Sequence, residues 1–163
     1  MFVSIRIIVY LQPKNMAMKY KQKVIPSVNT PEEWKGKKIR ELRQLINTYI
    51  KDNLVGKVYS NEDTKFSIQV TSTSARKTAY GEAMYYDKAT SLLILPQILQ
   101  YASYNNFGQR KETDDDTILG YANFKCKVII NGKNKTLRIA VKIAKGGFLY
   151  YNIEVNKILT KKG

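Results

Sequence analysis

Tyr121-Ala122-Asn123-Phe124-Lys125-Cys126-Lys127-Val128-Ile129-Ile130-Asn131-Gly132-Lys133-Asn134-Lys135-Thr136-Leu137-Arg138-Ile139-Ala140-Val141-Lys142-Ile143 is the stretch that decides the fold. Two alternating segments, Tyr121 to Ile130 and Thr136 to Ile143, flank Asn131-Gly132. Asn-Gly between such segments is a strong hairpin signal, because both residues tolerate the positive φ that a tight turn demands. Strand side chains repeat every two residues, so Phe124, Cys126, Val128, Leu137, Ile139, Val141 and Ile143 share one face. Lys125, Lys127, Arg138 and Lys142 share the other. A two-residue and a four-residue turn both keep that division. Gly146-Gly147 then permits a turn into Phe148 to Val155. Alternation sends Leu149, Tyr151, Ile153 and Val155 into the core and leaves Phe148, Tyr150, Asn152 and Glu154 opposite.

Working outward, Lys57 to Ser60 and Thr64 to Thr71 read as strands around Asn61-Glu62-Asp63. Phe66, Ile68 and Val70 alternate with Lys65, Ser67 and Gln69. Lys23 to Val28 reads as a further short strand. Thr30-Pro31-Glu32-Glu33 has the logic of a helix start, with Thr at the cap, Pro at the first turn and Glu33 closing a capping box. Ile39, Leu42, Leu45, Ile46, Tyr49 and Ile50 continue at helical spacing, and Gly56 ends that region. Tyr85 to Tyr104 reads as helical, broken at Pro96, which lacks a backbone donor. Asn105 to Thr117 is polar, and Asp114-Asp115-Asp116 reads as a solvated loop tip; it lacks the spaced ligands of a calcium loop. The expected architecture is α+β, a small antiparallel sheet packed against N-terminal and central helices. Residues 1–29 form N-terminal strand-like segments, and residues 30–160 form one domain; a start at Met16 or Met18 would remove much of the first segment.

The 163 residues carry 28 Lys+Arg against 13 Asp+Glu, a formal net charge of +15, and 44% of them are hydrophobic. A core is therefore available, and the charge favours a polyanionic partner through counterion release. Cys126 is the only cysteine, which excludes a disulfide framework and fits a reducing, cytoplasmic setting. No apolar run has the length of a membrane span. The absence of histidine excludes histidine triads, the common zinc sites and imidazole acid–base chemistry. No phosphate-binding glycine pattern occurs.

Like charges packed on one sheet face repel, so Lys125, Lys127, Arg138 and Lys142 either simply face water or await an anion. If the face is a site for RNA, cleavage needs no histidine. A lysine crowded by cations, or a tyrosine, can take the 2′-hydroxyl proton, and arginine can stabilise the added charge on phosphorus. Such a route gives a 2′,3′-cyclic phosphate, uses no metal or cofactor, and spares DNA. Ser72-Thr73-Ser74-Ala75-Arg76-Lys77-Thr78 follows the second strand and presents two adjacent cations. With no base to activate them, Ser72, Thr73 and Ser74 read as helix caps.

Gly56-Lys57-Val58-Tyr59-Ser60-Asn61, Ser74-Ala75-Arg76-Lys77-Thr78, Leu95-Pro96-Gln97-Ile98-Leu99, Val128-Ile129-Ile130-Asn131-Gly132-Lys133, Val141-Lys142 and Gly147-Phe148-Leu149-Tyr150-Tyr151 occur in that order. In these residues the chain resembles the large polyvalent protein-associated domains of phages and mobile elements, grouped with the barnase–EndoU–colicin–RelE-like nuclease fold. The resemblance implies RNA cleavage. It points to Arg76, Lys77, Lys142 and Tyr150 (or Tyr151) as catalytic residues; the cationic face read from the alternation adds Lys125, Lys127 and Arg138 as residues that bind the RNA. Members with histidine chemistry offer nothing to transfer, so the Lys, Arg and Tyr members are the closer analogy. Three functions follow as expectations: a metal-independent endoribonuclease of toxin or effector type, a non-catalytic nucleic-acid-binding or accessory domain, and a module covered by an acidic antitoxin or immunity protein.

Overall fold

The structure, a computed structural model, describes residues 20–75 and 86–155. In chain order its elements are β1 (Ser27–Val28), a 3-10 turn (Glu32–Trp34), α1 (Ile39–Asn53), β2 (Val58–Ser60) and β3 (Ser67–Gln69). Then come α2 (Tyr86–Ser91), a 3-10 turn (Leu92–Ile94), α3 (Leu95–Tyr101), β4 (Ser103–Gln109), β5 (Ile118–Ile130), β6 (Lys133–Ala144) and β7 (Gly147–Val155). The class is α+β as expected. The sheet, however, is mixed rather than purely antiparallel: it has seven strands, curls, and runs β1-β5-β6-β7-β3-β2, with β4 also on β5. β1 runs parallel to β5, and β3 runs parallel to β7.

The expected hairpin forms with the shorter turn, since Ile130 pairs directly with Lys133. Asn131 and Gly132 both take left-handed conformations, φ 52° and 78°, as the tight hairpin turn requires. Asn131 has a second role. Its Oδ1 accepts the Thr30 N–H at 2.8 Å, and its Nδ2 donates to Thr30 Oγ1 at 2.9 Å. Thr30 Oγ1 also lies 2.7 Å from Thr90 Oγ1 in α2. With its hydroxyl so engaged, Thr30 does not cap the long helix. Pro31-Glu32-Glu33 instead opens the short 3-10 turn that buries Trp34, and Gly36 at φ +78° separates that turn from α1.

The apolar hairpin face is buried as the alternation predicts, and α1 adds Leu42, Ile46 and Ile50 to the same core. The chain breaks before Pro96 into α2, a 3-10 turn and α3. β4 is a correction: residues Ser103 to Gln109 were expected to end a helix and begin a polar loop, yet they pair with β5. Alternation is absent there because the strand is polar on most positions; its backbone pairs with β5, and Tyr104 sets its ring edge-on to Phe124. At its far end the Phe107 ring covers Gly120, where an added Cβ would meet the ring at 2.5 Å. Between β4 and β1, the Gln22 amide completes the edge of β5, donating to Lys127 C=O and accepting Lys127 N–H at 2.8 and 2.9 Å.

β7 carries the second correction. A bulge lies opposite Ala140/Val141: Tyr150 pairs with Val141 and Asn152 with Ala140, so Tyr151 is the extra residue. One extra residue inverts the alternation on either side of it. Tyr150 therefore lies in the core at 0% exposure and Phe148 stacks on Phe66 at 3.9 Å, while Leu149 and Tyr151 join the opposite face.

The β2–β3 turn is tied to α3 by Asn61, which is fully buried. Its Nδ2 donates to the carbonyls of Leu99 and Ala102 at 2.8 and 2.9 Å, and its Oδ1 accepts from Thr64 N–H and Oγ1. These are carbonyls at the end of a helix, which have no intrahelical partner. Asn61→Ala leaves them buried and unpaired, and urea unfolding should show a loss of about 2–4 kcal/mol.

Candidate nucleic-acid interface

The sheet face away from the helices is a trough of about 760 Å³. Its floor is ordered by strand register into rows that cross β4, β5, β6 and β7. One row is Ser103, Lys125, Arg138 and Glu154; the next is Asn106, Asn123, Ala140 and Asn152. The third is Gly108, Tyr121, Lys142 and Leu149, with Tyr151 bulging in beside it. Lys125 and Arg138 are directly opposed, exposed and alike in charge, an arrangement that costs stability in isolation. Glu154 stands opposite Arg138 and balances part of it.

The aromatic row ends in a compact cluster. Tyr121 and Tyr151 tilt against each other at 5.5 Å. Lys142 Nζ lies over the Tyr151 ring at 4.6 Å, and Lys111 Nζ lies 5.1 Å from the same ring and 3.4 Å from its hydroxyl. Cations over ring faces are held by the ring quadrupole. The loop before β5 supplies the fourth partner. Asp114 accepts the Lys111 N–H at 2.8 Å, and Tyr121 donates its hydroxyl to both Asp114 oxygens at 2.8 and 2.9 Å. The Lys111 N–H first, and the Tyr121 hydroxyl after it, hold the Asp114 carboxyl below the usual carboxylate range. Burial, and then the bond to Asp114, push Tyr121 well above its ordinary value.

The three acids are thus more than a solvated tip. Asp115 accepts from Thr117 N–H and its hydroxyl, while Asp116 faces Arg110 at 3.9 Å. Arg110 also donates to the carbonyls of Asp114, Asp115 and Ile118, which fixes the loop's path. Among the described residues no three metal-ligating side chains gather. Cys126 is sealed in the core, where burial pushes its thiol up to about 12.

Of the residues singled out from the sequence, Lys125 and Arg138 line the trough, Lys142 stands on the same face at its end, over the Tyr151 ring, and Lys127 lies on that face beyond the other end. Tyr150 does not join them, because the bulge turns it into the core. Arg76 and Lys77 lie outside the described residues. In the loop before them, Thr71 caps the short turn that carries Ser72, Thr73 and Ser74, its Oγ1 accepting the Ser74 N–H at 3.3 Å. Sequence reading missed Tyr121, Asn123 and Asn106, and it assigned Asn152 a face but no role. The alternation that placed Lys125 would also have placed Tyr121 and Asn123; nothing local announced Lys111, which arrives from a loop.

The fold and this face define an α+β domain with a concave, cationic sheet surface. Residues 37–151 match the model of the large polyvalent protein-associated domain 3, and the chain belongs to that family. The match supports a domain of phage or mobile-element polyvalent proteins. No curated protein and no solved structure matches the chain. Among the described residues no helix is long and apolar enough to cross a membrane.

Because the folded Asp114 carboxyl is lowered, its bond to Tyr121 contributes stability above the unfolded carboxylate range and loses it as pH falls through the folded value. Urea midpoints of the wild type and Asp114→Asn should differ at pH 7 and converge as pH drops below about 4.

Proposed function

We propose that the concave cationic face binds RNA, as a nucleic-acid-binding or accessory domain of a polyvalent protein acting in the cytoplasm. The opposed Lys125–Arg138 pair carries this reading, since an anion laid across it relieves a repulsion built into the sheet. The spacing of the cations supports binding along a strand over a single catalytic phosphate. Arg138 and Lys142 stand four residues apart on one face of β6, which is about 13 Å at ~3.3 Å per residue. The two cations are thus set to meet successive parts of a strand, and Lys142 is already drawn to the Tyr151 ring. Asparagine and tyrosine side chains between the cations suit unpaired bases, which offer hydrogen-bonding edges and stacking faces.

With Lys111, Lys125, Arg138 and Lys142 each neutralising a phosphate, affinity for a single-stranded RNA should fall roughly fiftyfold between 50 and 200 mM salt. The double variant Lys125→Ala/Arg138→Ala should flatten the log–log salt slope by about 1.4. Fluorescence anisotropy with a labelled oligonucleotide reads both. Binding that ignores salt would defeat this reading.

A second reading, metal-independent endoribonuclease of toxin or effector type, is favoured by the gathering of Lys111, Lys142 and Tyr151 at one end of the trough. There a lysine or the Tyr151 hydroxyl takes the 2′-hydroxyl proton, the 2′-oxygen attacks phosphorus, and another of these groups protonates the leaving 5′-oxygen. The remaining cation offsets the added charge on the phosphorane. This would ally the chain with the barnase–EndoU–colicin–RelE-like nucleases, with Tyr151 in the place first given to Tyr150. In EDTA the wild type should then cut RNA and not DNA, and Tyr151→Phe or Lys142→Ala should slow cutting at least a hundredfold. Intact RNA after incubation, tRNA included, would remove this reading and leave the binding reading standing.

A further inference from the structure

Resting on the RNA-binding reading, we propose that the trough contains a seat for one unpaired nucleobase, over Ala140 and between the amides of Asn123 and Asn152. The middle row puts a methyl group where every neighbouring strand carries an amide: Asn106, Asn123 and Asn152 cross the sheet in register with Ala140. On the outward face of β6, Ala140 lies between Arg138 and Lys142; of the outward β6 residues that line the trough, Arg138 and Ala140, it is the one without a long side chain. It therefore opens a gap in the floor.

The walls of that gap are polar and pre-set. Asn123 donates through Nδ2 to Asn106 Oδ1 at 2.9 Å, which fixes its amide plane and leaves its Oδ1 for another donor. Asn152 Oδ1 is buried and has no hydrogen-bond partner. A buried acceptor left alone is costly; turning the amide over brings that oxygen to the trough, where an exocyclic amino group or ring N–H of a base supplies the donor it lacks. Tyr151 borders the gap through the bulge, held in place by Lys142 over its ring and by Tyr121 against its edge. A ring so held is a stacking partner that costs little further ordering.

The ligand chemistry follows from what flanks the gap. Lys125 and Arg138 lie two residues to one side and Lys142 two residues to the other along their strands, about 6–7 Å each way. A backbone crossing the trough meets a cation before and after the seated base. A base-paired strand cannot use the seat, because its hydrogen-bonding edge is occupied. The seat thus selects single-stranded over double-stranded nucleic acid, and bases over a bare polyanion.

Three probes of equal length test this with the full chain: a single-stranded ten-nucleotide RNA, the same oligomer with abasic positions, and an RNA duplex. The wild type should bind the first at least tenfold more tightly than the abasic oligomer at equal salt. Ala140→Leu, which fills the gap without altering charge, should abolish that preference and leave abasic binding unchanged. Asn152→Ala, checked by its melting temperature, should reduce the preference if Ala140→Leu disturbs the sheet. Equal affinity for base-containing and abasic oligomers overturns the seat while salt-dependent binding of both upholds the RNA face. A preference that survives both variants also overturns it. Failure to bind any of the three overturns the seat together with the reading beneath it.

Discussion

The register between β5 and β6 is the constraint on which the rest of the molecule depends. Side chains alternate across a strand, so a slip by one residue would exchange the two faces of the hairpin and bury Lys125 and Arg138 in place of Phe124 and Leu137. The turn prevents this by requiring left-handed backbone at two successive residues, and Asn131-Gly132 supplies both. The same turn also reaches outward. Through its amide, Asn131 holds Thr30, and Thr30 meets Thr90, so hairpin, N-terminal segment and α2 are tied at one partly buried polar junction. Such a junction is stable because each of these polar groups has a partner there.

A second, smaller irregularity gives the opposite face its chemistry. The β7 bulge inserts Tyr151 and so sends Tyr150 into the core and Tyr151 to the cations. Without it, Tyr150 would face the trough and Tyr151 the core, as simple alternation expects. The bulge also closes the aromatic cluster around Tyr121, which Asp114 anchors from the loop before β5. Bulges often re-aim a side chain next to a working surface, and this one brings a second tyrosine beside Tyr121 and the cations at one end of the trough.

Much of the fold was legible because its signals are local. Period-two runs marked β3, β5 and β6, Gly56 and Pro96 marked helix boundaries, and Asn131-Gly132 marked the turn. β4 was not legible, because a polar strand held by backbone bonds leaves no alternating trace. The parallel pairings of β1 and β3 were equally hidden, since strands from distant parts of the chain choose their neighbours by long-range contacts. The capping motif at Thr30 did not start the helix: only a 3-10 turn follows it, the α-helix begins at Ile39, and a tertiary hydrogen bond claims the Thr30 hydroxyl.

The amino-acid sequence by itself determined the hairpin, the identity of its buried face, and the cationic character of the other. It also excluded histidine chemistry, because composition needs no geometry. Only the tertiary structure decided which of two adjacent tyrosines meets Lys142, and that Asn106, Asn123, Ala140 and Asn152 fall in one row. The physical reason is one of range. Alternation and turn conformation act between residues a few positions apart, whereas a bulge and a cross-strand row exist only once strands from separate parts of the chain have hydrogen-bonded.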